Sequence, residues 1–465
     1  TVIAACQPAT SVPEPTQAPA EATKAPAQAT AAPQATETPI PAPPTATPPP
    51  TAAPRIFGSG KIEVVSWHQD WDGANRILAS MAPKYVEQHP DVTLNQQAIG
   101  YGDLFSKMLP AIAAGTEGDV MMAYSNWMVA TDIKQVFLDI TEAVGGASAL
   151  AQEMWPAAFG AFDVPEGKVF YVPWLAGIRG ACTTVNTDHL AEAGIDYLSF
   201  KTFEELVDSG VKLTKKDSNG KISRAGFSPR SVGLTWMFQF VWQLGGKVYD
   251  KETGRWSWST PEGEMAAQLH YDLYWKHQTC DFELFTSEFD GVSKQLVSMW
   301  ADGAWTCSVQ GDVAKVPCDN LVTPFLANAT TRVLYPDHEA IWALSRRLAK
   351  DPDKMKAALD WALLLVSPDA TIQAFDFYSG VCMTKAVYDD PRIEQVKFGK
   401  VSKRIAQGMW PYARYNQDRV ADLGPAATEL DRAMRKEISI KEALANMDTY
   451  CQEQEDATRE RLGLS

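Results

Sequence analysis

The chain lacks any run of eighteen apolar residues; the longest, around Trp361 to Val366, is far too short to span a bilayer. It also lacks positive charge. Lys and Arg total 42 against 57 Asp and Glu, a net charge of −15, which argues against nucleic acid and against adhesion to anionic lipid. Beyond Cys6, cysteine is limited to Cys182, Cys280, Cys307, Cys318, Cys382 and Cys451, whose spacing matches no zinc pattern. Cys307 and Cys318 are the closest pair and are placed to close a short loop if the chain is exported; isolated buried thiols are the alternative. There is no Gly-x-Ser-x-Gly element for serine hydrolysis and no Walker-type phosphate loop, so any ATPase belongs to a separate polypeptide. His338 beside Glu339 has no third ligand at useful spacing; neither metal nor cofactor is expected. No internal repeat is present.

Residues 7 to 54 lack nearly every side chain that builds a core. They hold 14 of the 30 prolines, four charges (Glu14, Glu21, Lys24, Glu37), no aromatic, and only Val12 and Ile40 as large aliphatics. Such a segment cannot offset the entropy of folding and is expected to be a disordered stalk over 7–57. Extended polyproline II at about 3.1 Å per residue would give it a reach on the order of 100 Å, and its Thr and Pro content also suits O-glycosylation. Ahead of it, Thr1-Val2-Ile3-Ala4-Ala5-Cys6 resembles the end of a bacterial lipoprotein signal, with Cys6 as the acylated residue. Membrane contact is then expected through this N-terminal lipid only.

What the remaining chain has is length for two cores, and 15 Trp. An indole face matches the apolar face of a pyranose, so the Trp content favours sugar stacking, with core packing as the alternative for each ring. Lys61 to Ser66 reads as a strand, Trp67 to Gly73 as a loop, and Ile77, Leu78, Met81, Tyr85 and Val86 as a helix that Pro83 kinks or shortens. Val92 to Leu94 is a second strand. Asp103 in the turn Gly100-Tyr101-Gly102-Asp103 is placed to cap the next helix, which Gly115 ends, and Asp119 to Tyr124 is a third strand. This alternation predicts a parallel sheet with crossover helices. Further strands are expected at Lys168 to Val172 and Ala181 to Val185. Helices are expected after Thr202, over Leu234 to Leu244, after Thr260-Pro261, over Phe289 to Met299, after Asp351-Pro352 and Ser367-Pro368, and over Ile438 to Tyr450. Trp275, Trp300 and Trp361 read as helical core.

Seven segments in order resemble the family-1 extracellular solute-binding proteins that serve ABC importers, the maltose-binding-protein-like group. They are Ile62 to His68, Gly100 to Gly115, Gly118-Asp119-Val120-Met121-Met122, Val172-Pro173-Trp174 with Arg179-Gly180 and Val185-Asn186, Gly194-Ile195-Asp196 with Thr202 to Leu206, Met299 to Trp305, and Ser367-Pro368-Asp369-Ala370. His338-Glu339 stands where the family has Gly-Gly, and Pro83 and Pro110 interrupt helices that are usually clean. The resemblance implies an α/β, two-lobe, periplasmic-binding-protein-like fold with hinge-crossing strands: 58–175 with 335–392 as one lobe, 176–334 with 393–465 as the other. It implies a carbohydrate, of di- or oligosaccharide size on the Trp content, held in the interlobe cleft of a monomer and passed to importer permease subunits.

Candidate ligand contacts follow from loops at strand ends and from family positions. They are Trp67, Asp70, Trp71 and Asp72 after the first strand, Tyr101 after the second, and Asn126 and Trp127 after the third. Trp174 and Arg179 lie at the first crossover, Trp236 and Trp242 on the aromatic helix, Trp305 in the Gly-x-Trp element, and Trp410, Arg414 and Tyr415 in the late segment. Indoles would cover C–H faces, carboxylates and amides would accept from hydroxyls, and Arg would donate. Two rival functions are a surface glycoside hydrolase, which needs two flanking carboxylates that Asp70 and Asp72 in one loop do not supply, and a sugar sensor without an importer. No enzyme activity is expected.

Overall fold

The structure is a computed structural model and describes residues 54–124, 133–155, 167–230, 232–250, 252–311, 314–336, 339–413 and 424–462. Cys6 and the stalk up to residue 53 lie outside the described residues, as do Asn126, Trp127, His338, Arg414 and Tyr415.

Fourteen strands are described: β1 Arg55–Phe57, β2 Ile62–Gln69, β3 Val92–Ile99, β4 Val120–Tyr124, β5 Val172–Ala176, β6 Cys182–Asn186, β7 Lys215–Lys216, β8 Ile222–Ser228, β9 Tyr249–Asp250, β10 Arg255–Trp256, β11 Val297–Ala301, β12 Cys318–Val322, β13 Glu339–Leu344 and β14 Val381–Cys382. One sheet runs β1-β3-β2-β4-β13-β5-β14; the other runs β12-β6-β11-β8-β7. In the first, β3, β2 and β4 are parallel and joined by the helices Asp72–Gln88 and Tyr101–Ala114, as parallel neighbours need crossover connections. Helix Asp72–Gln88 buries Ile77, Leu78, Met81, Ala82 and Tyr85 on that sheet. It continues through Pro83, which stands on its exposed side. Each sheet has its own apolar core, so the body is a two-lobe α/β fold.

The chain leaves β5 for β6 through residues 177–181 and returns from β12 to β13, which lies antiparallel between β4 and β5. A further crossing follows β14: helix Gly399–Met409 packs on both β14 and β12. The helices Gly424–Met434 and Ile440–Leu462 then join Gly233–Gln243 and Pro261–Trp275 on the second core. Among the described residues, no helix is long and apolar enough to cross a membrane.

Several elements differ from their sequence reading. Arg55–Phe57, expected to end the linker, pairs antiparallel with β3. Trp67, His68 and Gln69 continue β2, because its pairing with β3 runs on to Gln69 opposite Ile99. Gly100, not Asp103, caps helix Tyr101–Ala114, and Asp103 sits in its first turn. The expected strand over 168–172 begins only at Val172. The expected helix Phe289 to Met299 is short, Glu288–Ser293, and Gln295 at φ 56° stops it. The rest becomes β11, wholly buried at the centre of the second sheet, and carries Trp300 as a strand residue. The expected C-terminal helix starts at Ile440 and runs to Leu462. Trp275 is 39% exposed rather than core, whereas Trp361 is buried and donates to the Ser66 hydroxyl at 3.0 Å. The caps at Thr202, Thr260, Asp351 and Ser367 form, each accepting from a backbone N–H three residues on.

Candidate functional site

The carboxyl ends of β2 and β4 and the turn after β3 open on one side of the first sheet, where ligands gather in open α/β sheets. There a cavity of about 340 Å³ lies between this sheet and the segment that follows β11 of the second. Gln69 ends β2, Met122 and Tyr124 come from β4, and Tyr101 begins the helix after β3. The end of β5 supplies Leu175 and Ala176, the first crossing Gly177 and Arg179, β13 supplies Ala340, and Trp71, Tyr378, Trp305 and Val309 complete the lining.

The aromatic walls are held in place by contacts among themselves. Trp71 meets Tyr378 edge-on at 5.5 Å and Phe377 at 6.3 Å. Tyr101 meets Tyr124 at 5.5 Å, and the Tyr124 hydroxyl donates to Gln69. The Tyr378 hydroxyl donates to the Ala176 carbonyl at 3.2 Å. Burial raises both phenols well above their ordinary range, so they remain donors at neutral pH. Trp305 folds back over Gly303, where a Cβ would come within 1.9 Å of the ring.

A buried polar clasp fixes the Trp305 segment. The Ser308 amide donates to the Ser379 hydroxyl at 3.2 Å, and the Ser379 amide donates to the Ser308 hydroxyl at 3.1 Å. Asn320 donates to the Ala304 carbonyl at 2.6 Å and accepts from Thr184 at 2.7 Å. Cys307 is bonded to Cys318, so the loop the spacing suggested is closed. Ala304 belongs to the core of the first lobe although it follows β11 of the second. Trp305 and Tyr378 are thereby tied to one another across the chain crossings.

The structure brings Trp71, Tyr101, Arg179 and Trp305 together, and adds Gln69, Tyr124 and Tyr378. Gln69 was read as part of the loop after the first strand, and Tyr124 as the last residue of the third strand without a site role; Tyr378 follows the helix Pro368–Ala374 and carried no signal. The other candidates lie elsewhere. Trp67 is in β2, against Gly118. Asp70 accepts from Asn75 at 2.8 Å, and Asp72 pairs with Arg76 at 2.7 Å on the helix surface. Trp174 packs on Trp342 at 5.1 Å in the first core, and Trp410 stacks on Trp155 at 6.1 Å. Trp236 is buried in the second core and donates to the Gly180 carbonyl at 3.3 Å. Trp242 is half-buried against Phe238 and Tyr335. The indoles are taken by aromatic neighbours and buried packing, and the two carboxylates by Asn75 and Arg76, which spacing alone does not reveal. Among the described residues, no group of three His, Cys, Asp or Glu is placed to hold a metal.

Among the described residues lining the cavity Arg179 is the charged one, and its Nε donates to Asp302 Oδ1 at 3.1 Å. Its guanidinium carbon lies 5.5 Å from the centre of the Trp305 ring. The site therefore offers aromatic faces, an amide, phenol oxygens and a paired guanidinium: a surface for stacking and hydrogen bonding.

Residues 72–279 match the family model for bacterial extracellular solute-binding proteins. No curated protein matches the sequence. Among solved structures, the cyclic alpha-maltosyl-1,6-maltose binding protein of Arthrobacter globiformis superposes with a TM-score of 0.68 at 17% identity, over 85% of this chain and 99% of that one. An ABC substrate-binding protein of Listeria monocytogenes in complex with cycloalternan gives 0.67 at 17% identity, over 87% and 99%. The maltose/maltodextrin-binding domain of Bdellovibrio bacteriovorus bound to maltotriose gives 0.64 at 16%, over 84% and 99%. At these identities the likeness is one of fold.

Proposed function

From the chain's place among the bacterial extracellular solute-binding proteins, by its match over residues 72–279 and its two-lobe fold, we propose that it captures a carbohydrate in the interlobe cleft and delivers it to an ABC importer. The observation that carries this reading is the cavity walled by Trp71, Tyr101, Tyr124, Trp305 and Tyr378. Aromatic faces take the C–H faces of a sugar, while Gln69, the phenols and Arg179 meet its hydroxyls. Solved structures of the same fold, named for or bound to cycloalternan and maltotriose, support a di- or oligosaccharide. The chain acts as a monomer, held to the membrane by lipid on Cys6, with the stalk as tether. Asn126, Trp127, Arg414 and Tyr415 remain proposed contacts outside the described residues.

Hydrolysis is not part of the proposal. Asp70 and Asp72 are engaged with Asn75 and Arg76, and the described lining holds no pair of carboxylates. Tryptophan fluorescence titrated with mono-, di- and oligosaccharides, polyols, amino acids and peptides tests the reading. Saturable response to an oligosaccharide is expected; response to amino acids or peptides alone would sink it.

A further inference from the structure

We infer that Asp302 is a positioning residue of the cleft: its buried carboxylate holds the Arg179 guanidinium across the face of Trp305 and so fixes both the donor and the ring that a ligand meets. The nature of the ligand rests on the carbohydrate reading above; the contact itself does not.

Asp302 is the first residue beyond β11. Its side chain is 8% exposed, against 37% for Arg179. Oδ1 accepts from Arg179 Nε at 3.1 Å and from the Gly303 amide at 2.8 Å. Two donors on one oxygen fix the carboxylate, and the Nε contact together with the Trp305 ring beneath it orients the planar guanidinium. Behind Trp305, Gly303 leaves room for the ring to lie against its own backbone. The indole is therefore confined between Gly303 and the Arg179 cation. Arg179 and Trp305 line the cavity, whereas Asp302 does not, so it acts through them. The contact also joins the first crossing to the end of the second sheet, so it spans the chain between the lobes.

Burial pushes the Asp302 carboxyl up to about 6, against the pull of Arg179 and the Gly303 amide, with Glu288 adding to the rise. Among the described residues, the charged or titratable groups that face it are Arg179 from the crossing, Glu288 from helix Glu288–Ser293 and the Cys182 thiol from β6. A proton on Asp302 removes the charge that holds Arg179, so the grip weakens as pH falls through 6.

The test has two arms on the full chain. Without ligand, tryptophan fluorescence followed from pH 8 to pH 5 is expected to show a step near pH 6, absent from both Asp302→Asn and Trp305→Phe. A step that persists in Asp302→Asn overturns the inference. With maltotriose as probe, calorimetry is expected to give about tenfold weaker binding for Asp302→Asn at pH 7.5. The wild type is expected to weaken from pH 7.5 to pH 5.5, and the Asn variant to show no such pH dependence; equal affinity and equal pH dependence in both overturn it. If Asp302→Asn does not fold, Arg179→Lys keeps the charge but loses the fork; unchanged maltotriose affinity in that variant overturns the inference. No response to maltotriose together with an intact step removes this sugar from the functional reading and leaves the positioning role standing; no step removes the role whatever binds.

Discussion

His68 and His270 are buried imidazoles whose environments keep them neutral. Desolvation lowers each to about 4, and for His68 the hydrogen bond to Asn75 Oδ1 at 2.9 Å only partly opposes it. An unfolded imidazole takes its proton near 6.5. Between about pH 6.5 and 4 the unfolded chain thus binds protons that the folded chain refuses, and stability falls as pH falls through that window. Asp302 works in the opposite sense: its raised carboxyl makes the folded chain take a proton first, so its contribution grows as pH falls through 6. With His189, which desolvation also lowers to about 4, three imidazoles against one carboxyl leave a net loss. Scanning calorimetry is expected to show a lower Tm at pH 4.5 than at pH 7, and His270→Phe is expected to flatten that slope; an unchanged slope would refute the assignment. The residue scale also shows where sequence reading of the site stops. Trp71 was legible because it follows a strand and lies in a polar loop, and Trp305 because it stands in the Gly-x-Trp element that resembles the family's. Trp174, Trp236 and Trp410 could not be told apart from them, because a stacking platform and a core ring have the same side chain and differ only in what covers it.

Among the elements, the clasp of Ser308, Ser379 and Asn320 has the clearest energetic consequence. Replacing Ser379 by Val strands the Ser308 amide in a buried place, which costs about 1–3 kcal/mol. Urea unfolding of Ser379→Val should show that loss, and saccharide binding should weaken with it because the segment carrying Trp305 is no longer tied to the segment carrying Tyr378; a loss of stability with affinity intact would mean that the clasp is structural only. Helix starts were readable from short-range chemistry, since Thr202, Thr260, Asp351 and Ser367 each cap within three residues. β11 was not readable. Its apolar run fits a buried strand and a buried helix equally, and the decision comes from Gln295 in the left-handed region and from β6 and β8 on either side. In the same way β2 was read three residues short, because its end is set by pairing with β3 rather than by its own composition.

At the scale of the whole molecule, two cores joined by chain crossings suit hinge closure on a ligand placed between them. Binding to the folded form alone stabilises it by mass action, about 2.7 kcal/mol at a ligand concentration one hundred times Kd. The saccharide that gives the fluorescence response is therefore expected to raise Tm, and small-angle scattering is expected to show a smaller radius of gyration with it bound. A raised Tm with unchanged dimensions would mean capture without closure.

The sequence by itself determined the α/β class, the parallel units of the first sheet and the capped helices, and it pointed to the family whose model matches residues 72–279, because periodicity, caps and motif order act over short stretches of chain. Only the tertiary structure decided which aromatic rings line the cleft and which fill the cores, where β11 lies, and that Asp302 stands behind Arg179. Those outcomes depend on residues more than a hundred positions apart meeting across chain crossings, and on burial, which no local pattern encodes.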